Sequence, residues 1–376
     1  MIRRIFVPAL CALAVSPGVV SAQSGLNVRT AVLYESYTFD AGLLFNKVTE
    51  MTVPIAISFG LGRFGNLAIS TGYAKAEITS TDPTQISDQQ ISGVLDTEAR
   101  LSFDLIPGRL VGIVSGAVPT GTKTVAFEEL SVLGAISSDL IGFSAANLGT
   151  GGNVGAGFAG AVPVGRMALG FGATFRKPLT YEPVLGRTTE LRPGAEIRLR
   201  GGLEGAIATR TYIRLAAIYA RREKDVVSDS TRNGVGNRII GYVSLNQGLG
   251  SASVTVYGFD VFRGNPQLES TAAGAAILPR GNLLAAGFRF DFPLGRTTTV
   301  EPNVEYRVSD AAPDASTTSL ERLGESLRYG VDLRIRATRR WAIVLQGGGI
   351  SGYVTQSAAR INFRGFRGAL HLEFTP

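Results

Sequence analysis

Leu327-Arg328-Tyr329-Gly330-Val331-Asp332-Leu333-Arg334-Ile335-Arg336 sets apolar side chains against charged ones at every second position. Side chains of an extended strand point alternately to its two faces, so Leu327, Tyr329, Val331, Leu333 and Ile335 share one face. Arg328, Asp332, Arg334 and Arg336 share the other. One such strand fits a sheet with one wet and one dry face, and its neighbours decide which solvent each face meets.

The same alternation recurs on both sides of this stretch. Ala195 to Glu204 sets Ala195, Ile197, Leu199 and Leu203 against Glu196, Arg198, Arg200 and Glu204; Val300 to Val308 and Leu95 to Leu105 behave likewise. Short connections with glycine or a small residue beside arginine interrupt the strands at Gly62-Arg63, Gly108-Arg109, Gly165-Arg166, Thr209-Arg210, Gly248-Leu249-Gly250, Gly295-Arg296 and Thr338-Arg339, a spacing mostly near 44 residues. Each interval holds a strand, a longer polar connection and a second strand. The count is about sixteen strands, with fourteen as the alternative, starting near Asn27, Met51, Leu67, Val94, Leu110, Val154, Met167, Ala195, Tyr212, Arg238, Ala252, Leu283, Thr297, Leu327, Trp341 and Asn362.

Even strand number, tight turns at one end, long loops at the other and about ten alternating residues per strand describe a transmembrane antiparallel β-barrel. The expected fold class is therefore all-β, with short periplasmic turns and long extracellular loops. A propeller shares the period but needs four short strands per repeat. A soluble sandwich would have to bury one face of every strand in a core too large to tolerate this many charges. The location that follows is the bacterial cell outer membrane, with outer-membrane lipid as the first partner.

The ends of the chain agree. Arg3 and Arg4, an apolar run from Ile5 to Val15, and Val20-Ser21-Ala22 predict a cleavable signal peptide over 1–22, leaving 23–376 as a single barrel domain. Cleavage there removes the lone cysteine, Cys11, and lowers the formal charge of +7 by two. At the other end Gly368, Leu370, Leu372 and Phe374 share a face and resemble the signal by which barrel assembly machinery takes up the C-terminal strand, although Thr375 and Pro376 follow the aromatic residue. Tyr219, Phe292, Trp341, Tyr353 and Phe374 are candidates for interfacial girdles.

Composition removes most chemistry. One histidine and one cysteine exclude a His/Cys metal site and a thiol–imidazole nucleophile, so neither metal nor cofactor is expected. A Ser–His arrangement would have to use His371, which the alternation turns inward beside Glu373. The expectation is that the chain is no enzyme. Arginines are dispersed among acids without a basic run, which argues against nucleic acid.

The inward face holds the chemical content. Candidate pore-lining residues are Arg198, Arg200, Arg214, Arg289, Glu301, Glu305, Arg307, Arg328, Asp332, Arg334 and Arg336. They serve either as cross-strand salt bridges in the wall or, where unpaired, as a charge filter. The longest connection, Gly121 to Thr150, joins the expected fifth and sixth strands and carries Glu128, Glu129 and Asp139. Sixteen-stranded general porins fold the loop at this ordinal position into the lumen, and that resemblance implies an acidic constriction loop facing Arg198, Arg200 and Arg214.

Val118-Pro119-Thr120-Gly121, Asn147-Leu148-Gly149-Thr150-Gly151-Gly152, Val164-Gly165-Arg166 with Ala168-Leu169-Gly170-Phe171-Gly172, Tyr181-Glu182-Pro183 and Pro193-Gly194-Ala195-Glu196 together resemble the outer-membrane proteins grouped with the phenol meta-degradation pathway. The resemblance covers about Val118 to Glu196 and implies a channel or transporter for diffusion of small, often aromatic or apolar, organic solutes. A non-conducting barrel with a structural or surface-binding role is the alternative. Strand rhythm gives neither the solute nor the oligomeric state.

Overall fold

A computed structural model describes residues 25–82, 87–229, 231–267, 279–314, 316–356 and 358–375; the expected signal peptide lies outside the described residues. The strands run β1 (Leu26–Phe39), β2 (Phe45–Gly60), β3 (Asn66–Ser80), β4 in two halves (Gln89–Val94 and Thr97–Ile106), β5 (Leu110–Val118), β6 (Asn153–Val164), β7 (Met167–Pro178) and β8 (Glu196–Ala208). They continue as β9 (Thr211–Arg222), β10 (Arg238–Leu249), β11 (Ala252–Arg263), β12 (Gly281–Leu294), β13 (Thr298–Ala311), β14 (Glu321–Arg336), β15 (Trp341–Gln356) and β16 (Ala359–Phe374). Both halves of β4 pair with β3, so the segments of the large sheet make sixteen strands.

Every strand pairs antiparallel with the next, and β1 pairs with β16 from Val28 opposite Phe374 to Phe39 opposite Phe363. Closure leaves no free edge, which a sheet in lipid requires because hydrocarbon offers the backbone no hydrogen bonds. Tight turns such as Gly108 and Gly165 hold left-handed backbone, φ +68° and +61°, where a Cβ would be strained.

Strand starts differ from expectation mainly at the long-loop end. β2 begins at Phe45, ahead of Met51, and β14 at Glu321, ahead of Leu327. The added residues include outward-facing Lys47, Arg322 and Glu325, whose polarity hides the alternation because these ends rise beyond the apolar band. There Arg322 bridges Asp310 and Glu325, Tyr306 and Tyr353 donate to Glu325, and Arg360 lies 3.6 Å over the Tyr353 ring.

The outward residues of the middle of the wall are apolar and exposed, among them Val32, Phe171, Leu199, Leu215, Leu327 and Val331. Near the tight turns Phe292 and Trp341 are exposed, and the Trp341 ring packs at a tilt against Phe374, 4.9 Å between centroids. Tyr219 and Tyr353 stand toward the long-loop ends of their strands. This is the two-girdle arrangement of a lipid-facing wall. The described helices include none long and apolar enough to cross a membrane.

Candidate functional site: the lumen and its inward loop

The chain between β5 and β6 does not project outward. It turns into the barrel, forms the short helix α1 (Leu130–Ile136), and returns at Asn153. Apolar loop residues drive the turn: Val125, Val132, Leu133, Ile136, Leu140, Ile141, Phe143 and Leu148 are buried against Tyr37, Phe39, Val48, Ile78, Ile91, Ile350, Ile361 and Phe363 of the wall. Each such side chain removed from water contributes about 1.5–3 kcal/mol, which offsets the entropy of ordering the loop.

Both ends of the loop are tied where β4 breaks. Asp96 accepts hydrogen bonds from the Gly121 amide at 3.1 Å and from the amide and hydroxyl of Thr150 at 2.7 and 2.8 Å. The glycines at the return leave no room for side chains. A Cβ at Gly151, which has φ +79°, would lie 2.3 Å from the Tyr181 ring. Gly149-Thr150-Gly151-Gly152 is therefore a close-packed re-entry into β6.

Polar groups fix the loop to β11, β13 and β14 and also to β1, β2 and β16. Asp139 pairs with Arg263 at 3.2 Å, and its carbonyl accepts from Arg307 at 3.2 Å. The Leu140 carbonyl accepts from Ser326 at 3.3 Å. The Ser144 amide donates to Glu35 at 3.1 Å and the Ala145 amide to Glu50 at 2.8 Å, while Arg367 pairs with Glu35 at 2.7 Å and donates to the Ser144 hydroxyl at 2.8 Å.

Of the loop acids, only Asp139 meets an arginine among these contacts. The partner is Arg263, on β11, in place of Arg198, Arg200 or Arg214. Glu129 accepts from the Ala126 amide at 2.7 Å at the start of α1, and Glu128 is exposed. The loop is held by apolar packing together with the Asp139 contacts, and Glu128 and Glu129 take no part in the ion pairs among the described residues. Glu50 and Arg263 stood outside the candidate set; Glu50 sits in an alternating Val48–Thr52 run, a signal that was there to be used.

Strand register places all eleven candidate wall residues on the inward face. They form three groups. Glu305, Arg307 and Arg328 lie under the loop: Arg307 pairs with Glu305 at 2.6 Å, Tyr257 donates to Glu305 at 3.0 Å, and the Nε and Nη2 atoms of Arg328 are buried without a hydrogen-bond partner among the described residues. Toward the tight turns, Arg289 pairs with Asp291 at 3.2 Å and Arg334 with Glu373 at 2.8 Å. Glu301 lies between the two arginines at 3.9 and 4.0 Å, and Gln346 links Asp332 to His371 at 3.1 and 2.9 Å. Arg336 extends the inward row of β14 and is exposed. The third group stands on the opposite wall, where Arg198 bonds Glu196, Arg214 pairs with Glu204 at 2.8 Å, and Arg200 is exposed.

The loop leaves one side of the lumen open. Inward residues of β1–β3 and the upper parts of β15 and β16 are buried beneath it. Across the lumen, the inward positions of β6 and β7 are Gly155, Gly157, Ala159, Ala161, Ala168, Gly170, Gly172 and Thr174, and Ala159 and Ala161 are exposed. Small side chains there leave space down that wall. At the long-loop mouth, a cavity of about 440 Å³ lies between α1 and the wall, lined mainly by apolar groups including Phe39, Leu43, Phe45, Ile78 and Ile141.

A closed wall, apolar toward lipid and charged toward the lumen, admits one setting. The chain is a bacterial outer-membrane β-barrel. No family profile and no curated protein sequence matches it. Among solved structures, OccK5 (OpdH) of Pseudomonas aeruginosa is 9% identical over 94% of this chain and 98% of its own, with a TM-score of 0.48. OpdQ of the same organism is 11% identical over 94% and 99%, also at 0.48. A bacterial polysaccharide outer membrane secretin is 10% identical over 93% and 98%, at 0.48. Identities this low leave the function to be argued from the chain's own residues.

Proposed function

We propose that the barrel is a channel through which small organic solutes diffuse, entering at the apolar mouth cavity and descending the small-residue wall of β5–β8. The observation that carries this reading is the one-sided inward loop: it narrows the lumen against β14–β3 and leaves the glycine and alanine face of β6 and β7 uncovered. A solute with an apolar body suits both the mouth cavity and that wall. Likeness to the phenol meta-degradation outer-membrane proteins, carried by the stretch from Val118 to Glu196, points to the same class, with aromatic solutes as the first candidates. The roles are passive: the chain supplies a path and a filter, and no enzyme chemistry is proposed.

The apolar packing beneath the loop favours a second reading, a closed barrel whose loops bind at the surface. Single-channel conductance of the refolded protein in a planar bilayer separates the two. Discrete steps that scale with salt support the channel. Silence from a protein that is folded and heat-modifiable on gels overturns it in favour of the closed barrel.

A further inference from the structure

We propose that Lys47 of β2 and Arg364 of β16 form a docking site on the lipid-facing surface for the phosphate of a glycolipid in the outer leaflet. The site lies on the opposite face of the wall from the solute path and is independent of conduction.

Strand register brings the two cations together. Arg364 is opposite Thr38 of β1, and Thr38 is opposite Lys47. Alternation turns all three outward: their chain neighbours Phe363, Tyr37, Phe39 and Val48 are buried against the inward loop, whereas Lys47, Thr38 and Arg364 are exposed. Two strand spacings, about 10 Å, separate the backbones that carry the cations. Lysine and arginine side chains are long enough to converge on one group placed over Thr38, whose hydroxyl is available as a third donor.

The depth is that of a headgroup. Arg364 stands toward the end of β16 at which the long loops emerge, the outer side of such barrels. One outward step lower, Phe366 packs against Tyr34 with 5.7 Å between ring centroids, and both are exposed. Below them come Val32 and Leu370, paired across the strands and also exposed. Aromatic rings mark the boundary of the apolar band, so the cations stand directly above it, at the level of lipid phosphates.

Neither the Lys47 nor the Arg364 side chain has an ion pair or hydrogen bond among the described residues. The flanking cations are already neutralised: on β3 Lys75 pairs with Glu77 at 2.5 Å, and on β14 Arg322 pairs with Asp310 and Glu325. Asp40, one outward step above Thr38, accepts from the Asn362 amide group at 3.0 Å. Arg360, four residues above Arg364, lies over the Tyr353 ring and adds positive charge at the same corner. Two like charges on one row repel until an anion lies between them, and a phosphate offers acceptors to the arginine fork and to the lysine point charge at once. The acyl chains of the same lipid then run down over Phe366, Tyr34, Val32 and Leu370, which a free phosphate leaves uncovered.

The test titrates the full barrel, delipidated in neutral detergent, with bisphosphorylated lipid A and counts bound lipid by native mass spectrometry. Lipid A stripped of its phosphates and inorganic phosphate are the comparison probes. Bisphosphorylated lipid A should bind about tenfold or more tightly than either, the gain expected from two basic residues at an anionic headgroup. Lys47→Gln and Arg364→Gln should each weaken it about fivefold, the effect of one such residue. Lys75→Gln, which removes a cation already paired, should leave the affinity close to wild type. Thr38→Glu keeps both cations and puts a competing carboxylate between them, so it should weaken lipid A as well and covers the case that a cation variant fails to fold. Wild-type affinity in the folded variants, an equal loss in Lys75→Gln, or equal affinity for the dephosphorylated lipid overturns the site. Inorganic phosphate that binds as tightly as lipid A overturns the assignment to a lipid.

Discussion

Glu35 and Glu50 are cross-strand neighbours on β1 and β2, both buried, and they accept the amide hydrogens of Ser144 and Ala145, consecutive residues of the inward loop. Two carboxylates side by side are costly unless each is given donors. Glu35 has Arg367 as a counter-ion; Glu50 has the Thr52 hydroxyl at 2.8 Å. The loop amides supply the remaining bonds, so the wall and the loop stabilise each other.

Glu35→Gln should therefore loosen the loop more than Glu50→Gln. The first substitution strips the partly exposed Arg367 of its counter-ion, and losing a charge-assisted hydrogen bond of this kind costs about 1.5–3 kcal/mol. The second keeps an acceptor for Ala145. Open-channel current noise and mean conductance should both rise in Glu35→Gln and change little in Glu50→Gln.

Asp96→Ala should free both ends of the loop. Its carboxylate holds Gly121 and Thr150, and charged hydrogen bonds of this kind are worth about 1.5–3 kcal/mol. Faster protease cleavage within 119–152, with the barrel still heat-modifiable, is the expected result; cleavage at the wild-type rate would refute the clamp.

Deleting residues 127–138 removes α1 and much of the apolar packing against β2–β4. Conductance should increase severalfold in planar bilayers, and larger sugars should enter liposomes. An unchanged conductance would place the narrowest point elsewhere.

At the long-loop end, Asp314 accepts from the amides and hydroxyls of Ser316 and Thr317, which hold its carboxyl down at about 2. Because the value is lowered, the bonds are present at neutral pH and are lost only as pH falls from the ordinary aspartate range through about 2. The Asp314 carboxyl carbon should titrate near there by NMR, and a midpoint near 4 would contradict the turn.

Trp341 and Phe374 join the first residue of β15 to the last of β16 on the lipid face. Trp341→Ala should lower stability to urea in vesicles by about 1–3 kcal/mol through lost burial and ring contact. No change would mean that the pair carries no anchoring energy.

What the sequence by itself determined is the wall. Period-two alternation is local, and a strand crossing lipid must satisfy it residue by residue, so Leu327–Arg336 and its fellows already reveal strand number, closure and the two faces. Charged strand ends such as Lys47 and Arg322 hid the full length of β2 and β14, because beyond the apolar band nothing enforces the alternation. The inward loop was legible as a length and an ordinal position only. Which arginine meets Asp139, and that Glu50 and Arg263 hold the loop, were decided by tertiary structure. Those pairings join residues far apart in sequence, and they depend on barrel register and on the apolar packing that draws the loop to one side of the lumen.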